Sequence, residues 1–79
     1  MSHVPHELAE EFPEHRATIH TLKMANAHFA KLADKYHEVN REIHRHEAAG
    51  GDVSDEAMEA MKLQRLRLKD ELFAMLQKA

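Results

Sequence analysis

The stretch NREIHRHEAAGGDVSDEA, residues 40–57, decides how this chain folds. It runs from residues that favour a helix into two adjacent glycines, Gly50 and Gly51, and then into Asp52, Ser54, Asp55 and Glu56. Glycine just past the end of a helix takes the left-handed backbone that closes it, and basic side chains in the last turn suit its negative end. Asp52 or Ser54 can cap the next helix, and Asp55 and Glu56 then place negative charge on its positive first turn. The segment therefore reads as one helix ending, a turn at 49–53, and a second helix starting near Ser54.

On either side lie two long stretches rich in Ala, Leu, Lys, Glu, Arg and Met, all good helix formers. Pro13 fits the first turn of a helix, where its missing N–H is not needed. From there the pattern predicts one helix over about 14–48, roughly 35 residues and on the order of 50 Å long. A second covers about 54–78. Ahead of Pro13, PHELAEEF can form a short helical turn with Leu8 and Phe12 on one side.

Periodicity sets how the two helices meet. Leu22, Phe29, Tyr36 and Ile43 recur every seven residues, interleaved with Ala25, Leu32 and Val39. The second stretch carries Met58, Met61, Leu68, Leu72 and Met75 on the same spacing, interrupted by Arg65. These are seams of the heptad type. Folding at the double glycine pairs Ile43 with Met58, Val39 with Met61, Leu32 with Leu68, Phe29 with Leu72 and Ala25 with Met75. Tyr36 falls opposite Arg65, and His46 near Asp55. The expected fold is all-α: an antiparallel hairpin of two long helices in a single domain, residues 1–79, with residues 1–12 as an N-terminal arm.

Eight of the 79 residues are His, which raises the question of a metal. A helical zinc site needs two ligands three or four residues apart. Only His3 and His6 have that spacing, and both fall in the arm. His37 and His44 stand two turns apart, roughly 10 Å, while His44 and His46 point about 160° apart around a helix. An amino-terminal Met-Ser-His could chelate copper, but removal of the Met would shift the histidine and spoil the chelate. The HRH cluster is explained as the basic end of a helix, and no metal or cofactor is expected. Catalysis is not expected either: there is no Cys, and none of the hydroxyls of Ser2, Thr18, Thr21, Tyr36 or Ser54 sits in a nucleophile turn or phosphate loop.

A net charge of −3 argues against nucleic acid, whose phosphates require a basic footprint. The one basic cluster, Lys62, Arg65, Arg67 and Lys69, reads as a solvated helix face balanced by Glu59, Asp70 and Glu71. No apolar run is long enough to span a membrane, and the amino end lacks the basic and apolar regions of a signal peptide, so a cytoplasmic location is expected. With no cysteine to staple it, a chain this short needs regular helix packing or a partner subunit.

The second helix has more apolar surface than one seam requires. Leu66, Phe73 and Leu76 lie off the Met58–Met75 line, with only Ile19 as a counterpart on the first helix. These three are the expected partner-binding residues, and a homodimer or higher oligomer is the expected state, because apolar surface left uncovered marks association. If the chain is instead a folded monomer, its own arm must cover that stripe through Leu8 and Phe12.

HFAKLADKYHEVNREIHRHE at 28–47, followed by the turn and MKLQRLRLKDELFAMLQ at 61–77, resembles the YdcH-like family of small bacterial proteins. The elements HFAKLADKY and LKDEL are the most specific, and the opening MSHVPHELAEEFPEH is also similar. The resemblance implies a two-helix, coiled-coil-like domain from a bacterial cytoplasm and supplies no catalytic or ligand residues. The function expected is therefore a non-enzymatic helical-hairpin module that self-associates and binds another protein. Histidine-dependent metal binding is the alternative.

Overall fold

A computed structural model describes residues 6–50 and 53–79. The described residues are helical with no strand. Helix α1 covers Leu8–Glu11, a 3₁₀ turn Pro13–His15, α2 Arg16–Ala25, α3 Ala27–Ala49 and α4 Asp55–Lys78. The two long helices, α3 and α4, pack against each other as an antiparallel hairpin, α2 packs on α3, and α1 also rests on α3.

The caps explain these boundaries. Gly50 has φ +74° and ψ +59°, and its N–H bonds the His46 carbonyl at 3.2 Å, the left-handed closure expected of the glycine turn. Ser54 Oγ accepts from the Ala57 N–H at 3.1 Å, so Ser54 caps α4. Gly51 and Asp52, the other residues read as turn and cap, lie outside the described residues.

The expected continuous helix over 14–48 is divided at Asn26, whose backbone is extended (φ −130°, ψ +107°). Its N–H still bonds the Leu22 carbonyl at 2.8 Å, closing α2, while its side-chain oxygen accepts from the Phe29 N–H at 3.1 Å, opening α3. Asn competes for backbone hydrogen bonds and so favours caps over helix interiors. A single helix of about 50 Å would overrun the molecule, whose longest extent is 39 Å. The 23 residues of α3 and 24 of α4 account for about 35 Å each at 1.5 Å per residue.

The core is close to the seam read from the heptads but rotated. Phe29, Tyr36 and Ile43 are buried as expected, while Leu32 and Val39 are half-buried and Ala25 is exposed. Ala33 and Asn40 are buried instead, on the other flank of the stripe. On α4 the buried line is Leu68, Leu72 and Leu76, with Met58, Met61 and Met75 half-buried. The rotation has a cause: Leu8 of the arm and Ile19 of α2 join the same cluster, so the hairpin packs against more than its own two helices. Asn40, the buried polar residue of the seam, accepts from Arg65 Nη1 at 2.9 Å. Arg65 thus reaches one turn beyond the Tyr36 position expected to face it.

Candidate functional site

The arm docks on the hairpin through three polar contacts and one aromatic stack. Within the arm the Glu7 N–H donates to Glu10 Oε1 at 3.3 Å, which fixes the start of the short α1 turn, and Leu8 is buried in the core. The Tyr36 hydroxyl donates to the His6 carbonyl at 2.6 Å. His37 Nδ1 lies 3.0 Å from Glu7 Oε2, and Lys69 Nζ donates to Glu11 Oε1 at 2.8 Å. His6 Nδ1 stands 3.5 Å from Glu11 Oε2 within the arm itself. Phe12 stacks on Phe73 of α4, with ring centroids 5.0 Å apart and planes 12° from parallel. His15 meets both rings edge-on, and Lys69 Nζ lies 5.7 Å from the Phe12 centroid.

These contacts set two proton affinities. Burial pushes the Tyr36 phenol up from 10.0 to about 12, reinforced by the Glu11 and Glu7 carboxylates and opposed by the Arg65 guanidinium. The Lys69 hydrogen bond holds the Glu11 carboxyl below its ordinary value against the desolvation of its site.

The three residues expected to bind a partner have separate fates. Leu76 is in the core at 3% exposure, because it continues the Leu68–Leu72 line at four-residue spacing. Phe73 is half-buried under Phe12. Leu66 stays open at 50% exposure beside Leu63 at 48%. Glu56, Glu59, Ala60, Lys62, Leu63 and Leu66 line a shallow groove open to solvent on the outer side of α4. The sequence pattern had placed Leu8 and Phe12 as a possible cover, but not the polar contacts around them. Their signal was charge: the arm carries Glu7, Glu10 and Glu11 without a base, and Lys69 belongs to the basic cluster.

That cluster is dispersed. Lys62 Nζ lies 3.4 Å from Glu47, Arg65 serves Asn40 and Lys69 serves Glu11, so three of its four cations hold the fold together. The histidines are dispersed as well. At the end of α3, Arg45 Nη2 lies 2.8 Å and His46 Nε2 3.6 Å from Glu42 Oε1. His3 lies outside the described residues. Among the described residues, no three His, Asp, Glu or Cys side chains stand together in a way that could hold a metal ion, and no helix is long and apolar enough to cross a membrane.

Residues 29–76, from the start of the seam to Leu76, match the family model described as Protein of unknown function (DUF465). The chain belongs to the DUF465 family. It is 41% identical over 66 residues to the Uncharacterized protein YdcH of Escherichia coli strain K12, covering 84% of this chain and 89% of that one. The Uncharacterized protein YdcH of Shigella flexneri matches to the same extent. No solved structure matches. The resemblance seen in HFAKLADKY and LKDEL is thus a true family relationship, to proteins described as uncharacterized.

Proposed function

We propose that this DUF465 chain is a non-enzymatic interaction module of the bacterial cytoplasm, which self-associates through the outer face of α4 and offers the assembled helices to another protein. The observation that carries the reading is the adjacent exposure of Leu63 and Leu66 on a groove whose rim is charged. A second copy fits this face. Antiparallel two-fold pairing of α4 about Leu63 sets Ala60 against Leu66 and Glu59 against Arg67 of the other copy, so apolar meets apolar at the centre and that acidic rim residue meets an opposite charge. Histidine-dependent metal binding has less support: His6–Glu11, His37–Glu7 and His46–Glu42 each join one imidazole to one carboxylate.

Light scattering coupled to gel filtration tests the reading. The parent is expected at a multiple of 9.1 kDa at micromolar concentration, and the Leu66→Glu variant at one chain mass with unchanged helical content. Phe73 is a poorer probe, since a charge there would also break the Phe12 stack. A parent that runs as one chain throughout the micromolar range overturns the proposal.

A further inference from the structure

The arm is bound to the hairpin much as a ligand would be. Its partners Tyr36 and His37 lie 30 residues away and Lys69 lies 58 residues away, so what holds it is complementarity and not chain adjacency. The groove beneath it offers a cation, a phenol hydroxyl, an imidazole and the face of an aromatic ring. The arm answers with two carboxylates, a carbonyl and a ring. The groove also dictates the arm's shape: His6 sits at φ +65°, a left-handed backbone that a residue with a Cβ seldom takes alone, at the point where its carbonyl receives the Tyr36 hydroxyl. Only the three-residue turn Pro13–His15 joins this segment to α2. A short proline-bearing hinge between a docked segment and its host is the arrangement that permits exchange between copies.

We propose that the groove under the arm is a docking site for the arm of a second copy, so that two chains pair by exchanging residues 6–12. The contacts are identical within a chain and between chains. What favours the closed monomer is only the high effective concentration of the tethered arm. This goes beyond the outer-face reading and uses a different surface, because the exchanged arms touch Tyr36, His37, Lys69 and Phe73 and leave Leu66 open.

A charge swap tests it, carried out on full chains that also bear Leu66→Glu so that outer-face pairing does not contribute. Glu11→Lys alone places like charges in its own groove, and so does Lys69→Glu alone. Mixed, each arm finds its opposite charge only on the other chain. Gel filtration with light scattering should then show a species of twice 9.1 kDa at concentrations about tenfold or more below those at which either variant pairs alone. One chain carrying both changes should behave as its Leu66→Glu parent. A mixture that runs as two monomers overturns the proposal. Should either variant lose its helical signal, covalent trapping takes its place, since the described residues contain no cysteine and the sequence has none. A Phe12→Cys chain and a Phe73→Cys chain should form a disulfide-linked heterodimer under mild oxidation, in clear excess over a Lys31→Cys and Phe73→Cys control. Equal yields overturn it. Failure of the outer-face reading is seen separately, as an effect of Leu66→Glu on the otherwise unaltered chain.

Discussion

Replacing Tyr36 by Phe removes one oxygen from the most buried polar contact of the docked arm, and the structure sets the size of the effect at two pH values. At neutral pH the loss is one hydrogen bond of 2.6 Å to a backbone carbonyl. Such a bond contributes about 1 kcal/mol net, because the carbonyl at the groove edge regains water when the hydroxyl is gone. In alkali the sign reverses. The phenol ionises at 10.0 in the unfolded chain and at about 12 in the folded one, so above pH 10 the unfolded state releases its proton first and gains stability. The tyrosine's contribution is whole below pH 10 and falls by about 1.4 kcal/mol per pH unit until the folded phenol also ionises, roughly 2–3 kcal/mol in all. Parent and variant stability curves should therefore cross near about pH 11, with the parent more stable below and the variant above. Urea denaturation followed by circular dichroism at a series of pH values gives both curves, and lysine titration, common to the two proteins, cancels in their difference. A difference that stays constant from pH 8 to pH 12 would refute the reasoning, since it would mean that the phenol is not held between the arm and the hairpin.

Three further outcomes follow from the same contacts. Phe29→Ala or Leu72→Ala should each cost about 3–5 kcal/mol in chemical denaturation, because both side chains are fully buried in the seam, whereas Lys31→Ala on the exposed face should cost almost nothing. Gly50→Ala should cost about 1–2 kcal/mol and no more, since a Cβ there meets no atom within 4 Å and only the left-handed backbone is penalised. Glu11 is held below its ordinary value of 4.5, so its contribution is whole above that pH and is lost as pH falls through the folded value. An NMR titration of the Glu11 carboxyl should show the depressed midpoint, and Lys69→Met should return it toward 4.5.

The hairpin was legible because each part of it is written in residues close together in the chain. Helix propensity, seven-residue spacing and the Gly50 and Ser54 caps act over one or two turns, and two stripes read separately could be matched across one short turn. By itself the sequence determined the helical class, the position of the reversal and the burial of Phe29, Tyr36, Ile43, Leu68 and Leu72. The break at Asn26 was also written locally, as an Asn three residues before Phe29, but the helix-forming residues around it masked the signal. The tertiary structure alone decided the rest. Whether Phe73 faces solvent depends on where the arm goes, and the arm's route depends on α2 ending at Asn26 so that Leu8 and Ile19 join the same core cluster as the α4 leucines. Tyr36 with His6, His37 with Glu7 and Lys69 with Glu11 are separated by 30, 30 and 58 residues. No periodicity links such positions. They meet because a hairpin of two helices leaves one apolar flank uncovered, and burying it against the chain's own acidic, aromatic arm removes that surface from water at the small entropic cost of closing a short tether.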